Sequence, residues 1–294
     1  IKLIRQIKPS SSFDTVSYKN YRLSFINKCE ECSYLVNFLQ VSSDKAEMQA
    51  KSTLLIQIME TFESPNLCRM LNSNCFHAFL KMVKKNIFRA MPEIPSNTVD
   101  AIELSWPHLK LVYGCLKKSL ILKYFSTISK SFVYNLLKNI VSYERRERNT
   151  VKEILIDLYS KFNNLYSIIC NCIVSILSIQ LCSNELFELI CRLELLDTNF
   201  YIDMILPIHL LSTSYLYPSL IDCDLIFCRF DIQIFPILFE YLLNHWPITE
   251  NKKQIFFLKI IFKIFETCIK YITFELSNAF LDVVSLCIQS DSAD

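Results

Sequence analysis

The chain is 294 residues long, 52% hydrophobic and 20% charged, with a formal net charge of +2. That balance gives no electrostatic case for nucleic-acid binding, and the apolar fraction suffices for a large core. The one glycine, Gly114, leaves no material for phosphate-cradling loops, dinucleotide-binding turns or nucleophile elbows, whose backbones need glycine.

Residues 1–19 are polar, basic and serine-rich, and read as an arm ahead of a helical body over 20–294. Helical period begins at Tyr21, where Phe25, Cys29, Cys32, Leu35 and Phe38 fall on one face. Asp44 suits a helix N-cap, Ala46 to Phe62 makes the second helix of that pair, and Glu63-Ser64-Pro65-Asn66 ends it. The spacing next predicts a helix over 75–89, a long loop at 91–97 and a helix opened by Trp106-Pro107. Further helices are expected over 105–117, 128–141, 147–160, 163–182, 184–196, 200–216, 219–229, 232–244, 251–270 and 272–288. Helices of this length with short polar joints and no strict period predict an all-α fold. The expected form is a curved solenoid of HEAT-like helix pairs, an α-α superhelix.

From Phe162 to Asn184 no residue is charged, a stretch long enough to cross a bilayer. Asn164, Ser167, Asn171, Ser175, Ser178 and Cys182 nevertheless follow one another at three- and four-residue steps, and a lipid-facing asparagine stripe is costly. A helix buried among its neighbours, its stripe at a groove or junction, is expected instead of membrane insertion. Thirteen cysteines scattered through apolar runs read as small buried hydrophobes in a reducing compartment, hence a cytoplasmic or nuclear location.

No constellation for chemistry emerges. His77, His108, His209 and His245 lie in separate segments, none beside a cluster with ligand spacing. Cys29-Glu30-Glu31-Cys32 has redox or zinc spacing, but has no second pair and sits on the core face of its helix. Lys81, Lys84, Lys85 and Arg89 make a basic helix face, as do Lys117, Lys118 and Lys123; a solvated surface explains both, and an acidic partner is the sharper alternative. Glu144 to Arg148 forms a mixed-charge cluster at a helix start. No catalytic, cofactor-binding or metal-binding residue is assigned, and the expectation is a non-enzyme needing no cofactor.

Several segments resemble, in order, the B-prime family of protein phosphatase 2A regulatory subunits. Ser105-Trp106-Pro107-His108-Leu109-Lys110-Leu111-Val112-Tyr113 is similar to the family's Ala-Trp-Pro-His-Leu-Gln-Leu-Val-Tyr. Asn86-Ile87-Phe88-Arg89, Lys130-Ser131-Phe132-Val133, Arg146-Glu147-Arg148, Leu158-Tyr159-Ser160-Lys161-Phe162, Leu206-Pro207-Ile208-His209 and Leu242-Leu243-Asn244-His245-Trp246-Pro247 match further family segments.

The resemblance implies a non-catalytic regulatory subunit that docks on the phosphatase scaffold and catalytic subunits and selects substrates. It implies partner-facing loops at Trp106, His108, Arg146, Glu147 and Arg148. It also implies a groove for short Leu-x-x-Ile-x-Glu peptides from substrates or adaptors. Tyr159 matches a groove tyrosine, and Glu188, Leu189 and Leu193 match the facing helix. The family's His-Arg pair, however, falls at Ile156 and Asp157, and a later groove arginine at Tyr166. A shortened interval between Leu181 and Leu206 removes the Lys and His that meet the peptide's acid. The alternative is therefore a helical-repeat adaptor that has lost phosphatase binding and this peptide recognition.

Overall fold

A computed structural model describes residue 13 and residues 20–35, 45–89, 102–268, 270 and 273–289. Among these residues every regular element is helical. Phe38, Asp44, the loop at 91–97 and, except for Phe13, the arm at 1–19 lie outside the described residues. The chain divides into two compact units, residues 1–172 and 173–294.

The first unit holds α1 (Tyr21–Cys32), α2 (Lys45–Glu63), α3 (Pro65–Met70), α4 (Ser73–Ile87), α5 (Trp106–Ser119), α6 (Lys130–Lys138) and α7 (Arg145–Lys161). Helix α1 packs on α2 and α4, and α2 in turn packs on α5, which also meets α4 and α7. First helices thus stack on first helices and second on second, the arrangement of HEAT-like pairs. The cause is visible in the pattern: Leu54, Leu55, Ile58 and Phe62 of α2 and Phe79, Met82 and Val83 of α4 recur at helical spacing and are all buried. Phe62 meets Phe25 at 6.0 Å and Phe79 at 5.0 Å, both edge-on, in the geometry aromatic rings prefer. Asn72 caps α4 by accepting from the Cys75 amide at 3.0 Å, and Ser129 caps α6 by accepting from Phe132. Phe13 docks on α1, 4.8 Å from the Tyr21 ring. Gly114 lies inside α5, where a Cβ would come within 3.3 Å of Met59 Sδ on α2; it serves close helix approach, not ligand binding.

Helix α8 (Tyr166–Leu177) spans the division between units. The second unit continues with α9 (Asn184–Arg192), α10 (Thr198–Phe200), α11 (Ser219–Phe230), α12 (Ile234–Asn244), α13 (Asn251–Cys268) and α14 (Phe274–Gln289). Here α11 packs on α9 and α13, while α12 packs on α14, so the same stacking recurs. The helix expected over 200–216 is not continuous. Tyr201–Ile205 is a π turn, and Leu206–Leu210 and Ser214–Leu216 are 3-10 turns. Pro207 is the reason: it has no N–H for the helical ladder, and its ring obstructs the preceding turn. Likewise α1 stops at Cys32, leaving Leu35 exposed rather than on the core face.

The uncharged stretch is also broken. Helix α8 has 12 residues, a rise of about 18 Å against a hydrocarbon core of about 30 Å. Among the described residues no helix is long and apolar enough to cross a membrane. Helix α8, expected to be buried with its polar stripe at a groove or junction, is buried on its apolar side, and the stripe is exposed. Asn164, Ser167, Asn171, Ser175 and Ser178 form an exposed stripe, and Ile169, Cys172, Ile173 and Ile176 turn inward.

Two helix ends depart from the usual chemistry. Gln180 (φ 58°) after α8 and Glu194 (φ 51°) after α9 are left-handed, the position glycine normally takes. They allow the Leu181 amide to reach the Ile176 carbonyl at 3.3 Å and the Leu195 amide to reach Ile190 at 3.4 Å. Gln180→Gly and Glu194→Gly are each expected to raise the unfolding free energy by about 0.5–1 kcal/mol, because a Cβ is disfavoured there. Urea denaturation checks this; a loss of stability would mean that the native side chains hold these turns.

Candidate functional site

Three segments that are far apart in sequence converge in the first unit on one buried carboxylate, Glu147 at the start of α7. A charge removed from water must be paired and hydrogen-bonded, and Glu147 is saturated. Arg89, just past α4, grips it with both arms at 2.7 and 2.8 Å. The Tyr113 hydroxyl of α5 donates at 2.7 Å and the Ser142 hydroxyl at 2.6 Å. Asn139 donates to the Tyr113 oxygen at 2.9 Å and to the Ile87 carbonyl at 3.0 Å. Burial opposes the Arg89 charge, but the bonds and charge of Glu147 outweigh that and raise its pKa. Burial, reinforced by Glu147, pushes the Tyr113 hydroxyl well up, so it stays a donor.

A second carboxylate extends the hub to the loop before α5. Glu103 accepts from Arg89 at 3.2 Å, from the Tyr143 hydroxyl, and from the Ser105 amide and hydroxyl at 3.0 and 2.7 Å. Desolvation works against its charge, but the Tyr143 and Ser105 bonds win and lower its pKa. With Glu103 turned inward, its neighbours Ile102 and Leu104 point outward, 80% and 63% exposed. Glu144 accepts from the Glu103 amide at 3.0 Å and clamps the Arg146 guanidinium with two bonds of 2.8 Å. The Arg146 bond, against the cost of burial, holds the Glu144 carboxyl down at about 2. Arg146 lies over the Trp106 ring, 5.4 Å from its centre.

A neighbouring cluster ties α1, α2, α4 and α5. Lys51 donates to Asn86 Oδ1 at 2.8 Å and to the Tyr34 carbonyl, and Asn86 donates to the Cys32 and Met82 carbonyls. His108 Nε2 lies 3.1 Å from the same Asn86 oxygen. Burial, with the Lys51 charge beside it, pushes the His108 pKa down to about 3, so the ring is neutral and its Nε2 donates.

This geometry sorts the residues read as partner-facing. Trp106, His108, Glu147 and Arg148 are buried and Arg146 is exposed. The side chains of those four turn into the unit rather than outward; Arg148, for instance, donates to the Ser142 carbonyl at 2.8 Å. Their work is to fix the backbone of the loops at 102–105 and 142–145. The groove residues divide too. Tyr159 of the first unit is half-buried, its ring 5.3 Å from Tyr166. In the second unit Leu189 and Leu193 are core residues of α9 and its C-cap, at 0% and 1% exposure. Glu188 is half-buried and accepts from the Ser219 hydroxyl at 3.3 Å.

Two features leave little trace in the sequence. One is the Arg89–Glu147 pairing, hinted at only because Glu147 shares a helix face with Val151, Ile154 and Leu158, all buried. The other lies in the second unit, where Asp224 occupies a core position between Leu220 and Phe227. Its carboxylate accepts from the Tyr201 hydroxyl at 2.8 Å and faces His209 Nε2 at 3.0 Å, while His209 Nδ1 lies 3.0 Å from the Leu206 carbonyl. Both partners of the imidazole accept only, so both nitrogens carry protons and the ring is a buried cation. Cys29 and Cys32 are fully buried, and burial pushes both thiols up, Cys32 to about 12, which removes the thiolate that redox or metal chemistry needs. Among the described residues no group of three His, Cys, Asp or Glu could hold a metal ion.

Three of the segments that resemble one family, 86–89, 105–113 and 146–148, meet in the hub, and comparison with known proteins bears on the same family. The family model described as protein phosphatase 2A regulatory B subunit (B56 family) matches residues 10–294. The chain is similar to the B' beta isoform of the 57 kDa phosphatase 2A regulatory subunit of Arabidopsis thaliana, 25% identical over 86% of this chain and 57% of that protein. It is also similar to the alpha isoform of the human 56 kDa regulatory subunit, 26% identical over 90% of this chain and 60% of that protein. A Schizosaccharomyces pombe delta 2 isoform is 27% identical over 87% and 45% respectively. The chain thus spans about half the length of these relatives. With a family match over nearly its whole length and three of the matching segments joined around Glu147, this chain belongs to the B56 family of protein phosphatase 2A regulatory B subunits.

Proposed function

We propose that the chain is a non-catalytic regulatory subunit that binds the scaffold and catalytic subunits of a phosphatase 2A holoenzyme and directs substrate choice. The observation that carries this reading is the buried Glu147 hub, which sets the loops at 102–105 and 142–145 in a fixed form and leaves Ile102, Leu104 and Arg146 outward. Rigid loops with exposed apolar and cationic tips suit docking on another protein. The hub's charged groups are internally paired, which suits a framework and leaves none poised for acid–base work. The eleven described cysteines are free thiols, which suits a reducing compartment and hence the cytoplasm, the nucleus or both.

The test is affinity capture of the tagged chain from its own cells, followed by mass spectrometry. Scaffold and catalytic subunits of phosphatase 2A in near-equal amounts with the bait are expected; their absence from a soluble, folded bait overturns the proposal. A second reading, an adaptor without the usual peptide recognition, is favoured by one observation. Leu189 and Leu193 are spent in the core, and Ile156 and Asp157 stand where the family pattern has His and Arg. An acid at 157 repels an acidic peptide, and losing a charged hydrogen bond costs about 1.5–3 kcal/mol, roughly ten- to a hundredfold in affinity.

A further inference from the structure

Between Glu63 and Glu93 the chain has no acidic residue, and α4 lies in the middle of that run. The basic residues of this region meet different fates. Arg89 is bound to Glu147, and Lys84 lies 5.9 Å from the Phe132 ring centre. Some exposed lysines find carboxylates, as Lys117 does with Glu153 and Lys118 with Glu63 at 3.0 Å. Lys81 and Lys85 do not: among the described residues neither has a carboxylate within ion-pair distance. They are exposed and one turn apart on α4, with His77 a further turn back, so three basic side chains line about 12 Å of one helix edge.

That edge borders a recess rather than open solvent. A cavity of about 420 Å³ separates it from α1, whose Ile26 and Glu30 line the far wall with Tyr34 beyond the helix end. Ala78, between His77 and Lys81, gives the space its depth, since a larger side chain there would fill it. The cavity therefore offers apolar lining at Ile26 and Ala78, a basic edge, and a single acid, Glu30.

We propose that this recess between α1 and α4 binds an extended acidic peptide segment of a partner protein. In an extended chain, side chains two residues apart point the same way and lie about 6.6 Å apart, close to the rise of about 6 Å between Lys81 and Lys85. Two alternate carboxylates then meet the two ammonium groups, and a neighbouring aliphatic side chain covers Ala78. The site lies wholly in the first unit and shares no residue with the phosphatase-docking loops or the family's peptide groove, so it stands independently of the proposed holoenzyme role.

The test is fluorescence anisotropy with the full chain and a fluorescein-labelled peptide carrying glutamates at two alternate positions followed by a leucine. Wild type is expected to bind it saturably and to bind the glutamine counterpart at least about tenfold more weakly. Lys81→Glu/Lys85→Glu is expected to lose about tenfold or more. Ala78→Leu, which changes no charge, should lose a similar amount by filling the recess, and Glu30→Gln should tighten binding. Lys117→Glu/Lys118→Glu, an equal change in net charge elsewhere, should leave affinity within about twofold. Circular dichroism melts verify that each variant is folded. Absent binding by wild type, equal losses in the two double reversals, or equally effective competition by a single-stranded oligonucleotide of the same charge would each overturn the proposal.

Discussion

Replacing Glu147 with alanine is expected to lower the unfolding free energy of the first unit by about 3–5 kcal/mol, the largest effect of any single substitution outside the apolar core. The carboxylate has no exposed surface and takes four hydrogen bonds. Its removal leaves the Arg89 guanidinium, itself largely buried, without its main counter-charge, and the Tyr113 and Ser142 hydroxyls without their acceptor. The cost is thus that of orphaned groups rather than of one lost contact. A double-mutant cycle separates the two. Arg89→Met and Glu147→Leu should each be strongly destabilising alone, and the combined variant should cost less than their sum by about 1.5 kcal/mol or more, because neither charge is then stranded. Denaturant titration followed by circular dichroism measures all three; strict additivity would mean that the pair contributes no coupling.

The second large effect belongs to the second unit. Asp224→Ala is expected to cost about 3 kcal/mol or more, since it strands the His209 cation and the Tyr201 hydroxyl, both fully buried. The same triad gives a pH dependence whose sign follows from the imidazole. Burial alone would lower the His209 pKa, but the charge and hydrogen bond of Asp224, with the Leu206 carbonyl, outweigh it and raise the value above the usual 6.5. The folded state therefore binds this proton more tightly than the unfolded chain does. Its contribution to stability is complete below about pH 6.5 and is lost as pH rises through the raised folded value. Unfolding free energies measured at intervals across neutral and mildly alkaline pH should fall for wild type relative to His209→Gln, whose curve lacks this contribution. Parallel curves would show that His209 is neutral when folded.

Much of the framework could be read from apolar spacing alone. Leu54, Leu55, Ile58 and Phe62, or Val151, Ile154, Leu155 and Leu158, mark a helix face, and those faces are buried as expected. Breaks in the ladder were harder to see. Pro207 replaced one expected helix by π and 3-10 turns, and the left-handed Gln180 ended α8 early in a stretch whose composition alone looked continuous. Spacing also says which residues share a face but not what that face meets. Leu189 and Leu193 are read as groove residues only through the resemblance, while their burial where α9 meets α11 is set by packing that spacing does not show. Charged residues were the least legible. Arg89 and Glu147 are 58 positions apart, and in sequence each looks like part of a solvated cluster. Only the fold brings them together. Trp106, His108, Glu147 and Arg148 brace the loops at 102–105 and 142–145 from inside.

We propose, then, a helical member of the family that docks on the phosphatase but does not read the usual Leu-x-x-Ile-x-Glu peptide. Sedimentation velocity of the chain mixed with purified scaffold and catalytic subunits, in the presence of a fluorescein-labelled Leu-x-x-Ile-x-Glu peptide, examines both halves of that statement together. The predicted result is a protein boundary shifted to the three-subunit complex with the dye left sedimenting as free peptide. A chain that stays at its own sedimentation rate, or dye that travels with the complex, would contradict it.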